Sequence, residues 1–438
     1  MKKLIRNCAA WAWRPACVAL IACAAVWAAP DASGDELRLV IILTRHGVRA
    51  PFFSNEDMAK FTPQPWPKWE VAHLLQTPRG NLLIAYMGDY YHARFMSDGV
   101  LTGNPDVDRP LVFVRTDNDQ RTIETGRILG KGLVPGGEPE VHSLPAGVKD
   151  PLFRPYQAHV GHADKALAAA AIQGRLGGDP HAIERAFAPQ LAELRGILYG
   201  PGAASGATPL DEPTTVAPGP GEYPAKISGL LYNSWLLTDS LLLEYTDGKP
   251  SAEVGWGRVT GQTLTDLLAL HEFYFDLACR TRYVAQVEGS NLASHIVDTM
   301  EQCALGQPVP GALGPAGERV VVIGGHDGNI ANIGGLFGLN WWIPGAQANP
   351  LLPGGALIFE VWARQGKPNG FYVRTSYVSQ TLEQMRDATP LTPDNPPSVS
   401  PIFVPGCSTA TPAFDAPLDS FVRQARLVID PSFVTDEN

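Results

Sequence analysis

The segment from Arg45 to Pro51 brings two guanidinium groups and one imidazole together within a few residues. It reads Arg45-His46-Gly47-Val48-Arg49-Ala50-Pro51. Guanidinium groups bind phosphoryl oxygens, and a neutral imidazole is a competent nucleophile because the nitrogen of its phosphoramidate product leaves readily. The segment therefore predicts a phosphoryl-transfer site, with His46 as the nucleophile and Arg45 and Arg49 as phosphate ligands.

Two later polar segments offer the groups that such a site still lacks. Breaking a phosphomonoester requires donors for the charged oxygens and an acid that protonates the departing alcohol. Arg121 and His326 are candidate donors, and Asp327, the neighbour of His326, is the candidate acid. Taken alone, Arg121 is better interpreted as a surface arginine at a helix start, and His326-Asp327-Gly328 could be an ordinary strand-ending turn.

Short apolar and β-branched runs precede all three segments, at residues 37–44, 110–115 and 319–325. Such runs predict buried strands, and sites in an open α/β sheet form outside the carboxyl ends of the strands. Two further runs, at 357–362 and 370–377, are joined by a short turn and predict an antiparallel pair. The sequence therefore predicts an α/β fold with an open, mostly parallel central sheet flanked by helices.

Helical patterns fill the chain between these strands, and a loop rich in Pro and Gly is predicted at residues 201–224. The predicted helices cover residues 77–97, 120–133, 163–199, 227–245 and 260–281. Because the middle of the chain is mostly helical, residues 161–290 are interpreted as a smaller inserted helical domain. The α/β domain would then comprise residues 36–160 and 291–438.

The first residues are typical of an export signal. Residues 1–28 carry a basic head, an apolar stretch too short to span a bilayer and small residues at a cleavage site near Ala28. They are interpreted as a signal peptide, which predicts a periplasmic or secreted protein. A second interpretation is a lipoprotein signal, in which Cys23 would carry a lipid anchor. No membrane span is expected in either case.

The net charge excludes one class of partner. Removing residues 1–28 removes four basic residues and no acidic ones, so the formal net charge of −10 becomes −14. A nucleic-acid-binding face would have to be built against this acidic background. The expected partner is a small phosphomonoester, and the chain is expected to be a monomer.

Cys279, Cys303 and Cys407 are the cysteines outside the N-terminal segment. They allow at most one bridge, and the first two should lie at opposite ends of packed helices, beyond disulfide reach. The sequence has no C-x-x-C pair and no histidine cluster at ligand spacing, so no metal is expected. Four histidines without a matching role are interpreted as surface or core residues: His159, His162, His271 and His295.

These motifs resemble those of the histidine acid phosphatase family, the branch of the histidine phosphatase superfamily that contains the bacterial phytases and periplasmic glucose-1-phosphatase. The R-H-G-x-R-x-P signature matches from Arg45 to Pro51, and an H-D element matches His326-Asp327. Similar stretches include TPRG at 77–80, GWGR at 255–258, IANIGG from 330 and QTLEQMRDATPL from 380. The resemblance covers about residues 38 to 407.

The resemblance implies a role for each candidate. His46 would be the phosphorylated nucleophile and Asp327 the general acid. The residues around the phosphate would be Arg45, Arg49, Arg121 and His326. No metal or cofactor would be needed. Because a carboxyl group is ordinarily protonated only in acid, an acidic pH optimum is expected.

Three departures from the pattern of the family's phytases bear on the substrate. Phe52-Phe53 stand where those enzymes usually carry a lysine, Gly328 replaces a common threonine, and Gln286 and Glu288 lie where an arginine is usual. Each change removes a donor or a positive charge, and charge-assisted bonds are the strong ones for phosphate. Broad phosphomonoesterase activity, including sugar phosphates, is therefore favoured over phytase activity.

Two alternatives come from other functional classes. A phosphosugar-binding protein without turnover would not need both His46 and Asp327, which are intact. A mutase would keep the phosphohistidine, but the export signal separates this chain from cytoplasmic intermediates. Hydrolysis of phosphomonoesters is thus the expected function.

Overall fold

The computed structural model describes residues 34–179, 181–200 and 208–435. The predicted signal peptide and Cys23 lie outside these residues. Within them, no helix combines the length and the apolar character that crossing a membrane requires. Cys279, Cys303 and Cys407 are free thiols, in agreement with the expectation that no bridge links Cys279 to Cys303.

A mixed sheet in the order β10-β8-β7-β1-β6-β2-β3 forms the centre of the molecule, and β9 also pairs with β8. These strands and the separate β4-β5 hairpin are β1 (Glu36–Arg45), β2 (Val112–Thr116), β3 (Val141–His142), β4 (Thr215–Pro218), β5 (Ala225–Ser228), β6 (Val320–Gly325), β7 (Ala356–Ala363), β8 (Phe371–Ser379), β9 (Ser398–Pro401) and β10 (Ala416–Pro417).

Strand directions confirm the predicted α/β sheet. β1, β6, β2 and β3 run parallel, and β7 is antiparallel to both β1 and β8. β9 and β10 are antiparallel to β8, so they share the direction of β7. Most strands of the sheet therefore point one way, and the predicted antiparallel pair is β7 and β8.

Helices cover both faces of this sheet. They are α1 (Asn55–Met58), α2 (Pro78–Ser97), α3 (Pro105–Asp108), α4 (Gln120–Leu133), α5 (Lys165–Arg175), α6 (His181–Ala186), α7 (Ala188–Tyr199), α8 (Leu230–Thr246), α9 (Gly261–Ala278), α10 (Arg282–Leu305), α11 (Asp327–Phe337), α12 (Leu382–Asp387) and α13 (Leu418–Val428). The predicted helices at 77–97 and 120–133 match α2 and α4 closely. Those at 227–245 and 260–281 match α8 and α9 within three residues.

β1 shows why the sheet needs helices on both sides. Leu39, Ile41 and Leu43 pack into the larger apolar cluster, with α8, α9, α10 and α11. The alternate residues Val40 and Ile42 pack into a second cluster with α2 and α4. Because successive side chains of a strand point to opposite faces, a run that is apolar throughout is buried on both.

The segment predicted as a helical insertion contains α5 to α9, but it also contains the β4-β5 hairpin. The prediction of a loop throughout 201–224 is therefore wrong at β4, which pairs with β5 beyond the loop. α10 runs unbroken from Arg282 to Leu305, across the proposed boundary at residue 290. Leucines of α8 and α9 share one apolar cluster with β1. The division into two domains stays a prediction.

Candidate active site

Three adjacent parallel strands end at the same edge of the sheet and deliver the candidate residues together. β1 ends at Arg45, β2 ends just before Asp117, and β6 ends just before His326. Backbone bonds continue the ladder past the strand ends, with His46 N donating to Gly325 O at 3.0 Å and Asp117 N to Gly324 O at 3.0 Å. The clustering predicted from the three apolar runs is thus present.

Hydrogen bonding assigns the tautomer of His46. Its Nδ1 lies 2.8 Å from the carbonyl oxygen of Gly47, which can only accept, so Nδ1 carries the proton. Nε2 then holds the lone pair in the neutral ring. The ring is 2 % exposed and contributes to the wall of a cavity. Nε2 is therefore the atom that can act as a nucleophile.

The surroundings of His46 keep its ring neutral. Burial, and after it the positive charges led by Arg121, hold the pKa of His46 well below its ordinary value. Both causes disfavour the imidazolium, because a buried cation loses hydration and meets like charge. His46 consequently remains unprotonated in solutions acidic enough to protonate an exposed histidine.

The backbone after His46 is held against the start of α2. Gly47 N lies 3.1 Å from Gln76 Oε1 and 2.9 Å from Thr125 Oγ1. Thr77 N donates to Val48 O, and the Thr77 side chain caps α2 by accepting from Gly80 N. A side chain at position 80 would place its Cβ 2.2 Å from Val48 O, so only glycine fits there. The TPRG stretch thus positions the nucleophile segment.

Arg45 and Arg49 are both buried and share one carboxylate. Asp239 on α8 places Oδ1 3.0 Å from Arg45 Nη2 and Oδ2 3.0 Å from Arg49 Nη2. Arg45 also donates to Leu351 O, and Arg49 stacks on the ring of Phe52 at 4.1 Å. These contacts fix each guanidinium in one orientation.

Asp239 is itself backed by a buried histidine. His271 Nε2 lies 3.7 Å from Asp239 Oδ1, and its Nδ1 lies 3.3 Å from Glu272 Oε1. Burial opposes a charge on His271, but Glu272 and Asp239 outweigh it and raise the pKa of His271 to about 9. The flanking cations hold the pKa of Asp239 far below its ordinary value despite burial. The carboxylate of Asp239 therefore stays ionised in acidic solution.

A second ionic cluster surrounds His326. Its Nε2 lies 2.7 Å from Asp117 Oδ2, a carboxylate oxygen that can only accept, so Nε2 carries a proton. Arg154 pairs with Asp117 at 2.8 Å and with Asp119. Arg121, at the start of α4, pairs with Asp119 at 2.8 Å. The two acids thereby hold two arginines and a histidine side by side at the cavity.

Asp117, Asp119 and His326 also satisfy the geometry of a three-ligand metal site, since their ligand atoms lie within 4.8 Å of one another. Arg154 already pairs with both carboxylates of this group. A bound cation would have to displace the guanidinium or share its carboxylates. The arrangement fits an arginine clamp better than a metal centre.

Asp327 begins α11, and its side chain remains accessible at 15 % exposure. Oδ2 lies 3.2 Å from Arg45 Nη2, and Oδ1 accepts from Gly328 N at 2.9 Å. The rings of His46 and His326 lie 5.6 Å apart, centroid to centroid. The amino end of α11, the two histidines and Asp327 thus meet around one small volume, where a helix dipole favours an anion.

That volume is part of an open cavity of about 370 Å³ lined by His46, Arg121, Arg154, His326 and Asp327. Arg45 and Arg49 do not line it and are buried, at 0 % and 1 % exposure, although Arg45 contacts Asp327 and both arginines act on the pKa of His46. All six residues predicted for the site are therefore brought together, four of them in the cavity wall. The cavity is wide enough for a phosphoryl group together with part of a leaving group.

The sequence pattern of the histidine phosphatase superfamily (branch 2) matches residues 36–378. The chain belongs to this superfamily. The members that resemble this chain are hydrolases of phosphomonoesters, as their names, phytase and glucose-1-phosphatase, indicate. The resemblance drawn from the signature and the H-D element is confirmed.

Individual members of the superfamily share the whole architecture. Phytase AppA of Escherichia coli is 35% identical over 86% of this chain and 88% of its own. Glucose-1-phosphatase of Salmonella typhimurium is 26% identical over 92% of this chain and 95% of its own. The structure of Hafnia alvei phytase in complex with tartrate superposes with a TM-score of 0.83 at 34% identity, covering 92% of this chain and 99% of that one.

Three residues of the site belong to no sequence motif: Asp239, Arg154 and His271. Asp239 is 1 % exposed and pairs with both signature arginines. No motif marks Arg154, because a lone arginine in a turn is common. His271, interpreted as a surface or core histidine, is buried against Asp239.

The shared carboxylate gives a first prediction. Asp239→Asn leaves Arg45 and Arg49 without their anion, so both guanidinium groups should shift. We expect kcat to fall about 100-fold, the loss that a misplacement of about 1 Å can cause. The free energy of unfolding should fall by about 3 kcal/mol, as for other broken buried ion pairs. Steady-state kinetics and urea unfolding measure the two effects.

Asp179→Asn is the matched control, because Asp179 forms an exposed ion pair with Arg185 outside the site. It should leave kcat and the urea midpoint unchanged. A fully active Asp239→Asn variant would show that the arginines hold their positions without this carboxylate.

The charges around His46 give a prediction for the pH profile. The acidic limb of kcat/KM, where His46 becomes protonated, should lie well below pH 6.5 in the wild type. Arg121→Gln removes a positive charge that lowers the pKa of His46. The pKa of His46 should therefore rise, and the acidic limb should move to higher pH. The measurement is kcat/KM for p-nitrophenyl phosphate between pH 2 and 8.

Arg127→Gln serves as the control, since Arg127 lies on the exposed face of the same helix and pairs with Glu124. Its profile should coincide with that of the wild type. An acidic limb that stays in place in Arg121→Gln would mean that the limb reports a group other than His46.

Proposed function

We propose that the chain hydrolyses phosphomonoesters through a covalent phosphohistidine on His46. The observation that carries the proposal is the tautomer of His46. Nδ1 donates its proton to Gly47 O, so Nε2 is unprotonated in the neutral ring. The pKa of the ring is also lowered, so the neutral form is favoured. A non-catalytic phosphate-binding residue would gain by being charged, whereas a nucleophile must be neutral.

In the proposed first step, Nε2 of His46 attacks phosphorus and the bond from phosphorus to the ester oxygen breaks. Asp327 gives its proton to that oxygen, so the leaving group departs as a neutral alcohol. In the second step, a water molecule attacks the phosphohistidine and Asp327 takes up the proton of this water. Nε2 regains its lone pair and inorganic phosphate is released. The carboxyl of Asp327 is accessible and belongs to the cavity wall, which supports this double role.

The side chains around the phosphate supply the electrostatic part of the proposed mechanism. Arg45, Arg49, Arg121 and His326 would surround the phosphoryl oxygens, and Arg154 joins them through its place in the cavity wall. Their partners Asp239 and Asp119 hold them in position before substrate arrives. Preorganised donors of this kind stabilise the transition state without having to reorient during the reaction.

For the substrate we propose a broad range of phosphomonoesters that includes sugar phosphates. The arginines of the cavity wall, Arg121 and Arg154, both pair with acids of the phosphate site. Further phosphate groups on a ligand would meet Phe52, Tyr223 and Glu288 instead. Lost charge-assisted bonds of roughly 1.5–3 kcal/mol each would make a polyphosphorylated ligand a poorer substrate.

Phytase activity is the second candidate, and the comparisons favour it. The relative at 35% identity is named a phytase, and the structure with a TM-score of 0.83 is also a phytase. The glucose-1-phosphatase match is weaker, at 26% identity. Fold and phosphate site are common to both candidates, so the choice depends on the cavity wall outside the phosphate site. We further propose that the enzyme acts in the periplasm or outside the cell, after removal of residues 1–28.

The covalent step can be tested by trapping. Enzyme mixed with ³²P-labelled p-nitrophenyl phosphate and quenched in alkaline denaturant, which preserves phosphohistidine, should carry label on the peptide that contains His46. His46→Ala should take up no label and lose more than 1,000-fold in kcat. Asp327→Asn should still be labelled, because p-nitrophenolate leaves without a proton.

His181→Ala is the control, since His181 is exposed on α6, and it should match the wild type in both assays. Label on any residue other than His46, or more than a thousandth of wild-type turnover in His46→Ala, would contradict the covalent mechanism.

The proposed substrate range can be tested by relative kcat/KM for glucose 1-phosphate, p-nitrophenyl phosphate and phytate at one acidic pH. The two monophosphates should be hydrolysed at least as efficiently as phytate, because the cavity holds cations for one phosphoryl group. A preference for phytate of more than tenfold would instead establish the second candidate.

A further inference from the structure

Outside the phosphate site, the cavity wall has aromatic, aliphatic and polar side chains and no positive charge. It includes Phe52, Phe153, Gln157, Tyr223, Tyr274 and Asn332. One further acid, Glu288, belongs to the same wall. Side chains of this kind match a ring with hydroxyl groups better than an anion, because amides and carboxyls bond hydroxyls while aromatic faces pack on carbon.

Glu288 lies on α10 and accepts a hydrogen bond from the backbone N–H of Tyr156. Burial raises the pKa of Glu288 to about 7, so its carboxyl is protonated in the acidic range. A protonated carboxyl both donates and accepts one hydrogen bond, as a hydroxyl group does. It contributes no positive charge for a second phosphate group.

Gln286, two residues earlier on the same helix, makes a different contact. Its Nε2 lies 3.3 Å from Val428 O, and it is not part of the cavity wall. Of the two residues that stand where an arginine is usual in related phytases, only Glu288 therefore meets the ligand space. Within this segment, Glu288 is therefore the residue that faces the substrate.

We propose that Glu288 is a specificity-determining residue that hydrogen-bonds a hydroxyl of the leaving group and so selects sugar or polyol monophosphates. This proposal rests on the proposed function, since it needs a phosphoryl group held at His46. The leaving group then extends along the cavity wall towards α10. Phe52, fixed by Arg49 at 4.1 Å and Trp235 at 5.7 Å, offers a rigid face for the carbon side of the ring.

Two substrates whose leaving groups are both primary alcohols distinguish an effect on hydroxyl binding from an effect on the chemical step. Glucose 6-phosphate carries hydroxyls that Glu288 can bond, and ethyl phosphate carries none. Glu288→Ala should lower kcat/KM for glucose 6-phosphate about tenfold, the effect of one hydrogen bond, and change ethyl phosphate less than twofold. Glu288→Gln keeps a donor and an acceptor and should restore most of the loss. Glu288→Arg should raise kcat/KM for phytate at least tenfold.

Gln286→Ala is the matched control on α10 and should leave all three substrates unchanged. Equal losses on glucose 6-phosphate and ethyl phosphate in Glu288→Ala would show a structural role and overturn the proposal. Unchanged activity on glucose 6-phosphate would overturn it as well. Labelling of His46 by p-nitrophenyl phosphate in each variant reports on the proposed function separately, so a failure of the hydroxyl contact is distinguishable from a failure of the phosphohistidine mechanism.

Discussion

One buried carboxylate, Asp239, makes the arrangement of cations in the site possible. A phosphate site must gather positive charges, and these repel one another in a low-dielectric interior when no phosphate is bound. Asp239 lies 3.0 Å from both Arg45 and Arg49 and so offsets their repulsion. Asp117 serves Arg154 in the same way at 2.8 Å. The acids hold the arginines in separate positions and leave room for a phosphoryl group between them. The ring of His46 is neutral and therefore adds no further positive charge.

This need for a buried anion accounts for the close packing of α8 on the sheet. Asp239 stands 190 residues after Arg49 in the chain, so the segment that carries it must be docked with little freedom. α8 is buried over nearly its whole surface, and its leucines share a cluster with Leu43 of β1. Apolar burial on this scale stabilises the placement of charges whose removal from water is unfavourable. The middle of the chain is consequently part of the catalytic architecture as well as a wall of the cavity.

The contrast between predicted and unpredicted residues follows from the range of the interactions. His46, Arg121 and Asp327 follow apolar runs that identify strand ends, and strand ends of a parallel sheet meet at one edge, so local patterns were sufficient to group them. Asp239 lies in a helix that is buried all round, where periodicity cannot distinguish the face that meets the arginines. Arg154 forms ion pairs with Asp117 and Asp119, which are distant from it in the sequence. Such partners depend on tertiary packing and leave no local pattern.

Chemistry and substrate choice use different parts of this framework. His46, the proposed nucleophile, and His326 directly follow β1 and β6, where the backbone is fixed by neighbouring strands. Glu288 and Tyr223 reach the cavity from α10 and from the turn of the β4-β5 hairpin. A side chain there can change its charge or size without moving a strand, because it supports no other catalytic group. Relatives named for different substrates can therefore share the phosphate site closely while their leaving-group walls diverge.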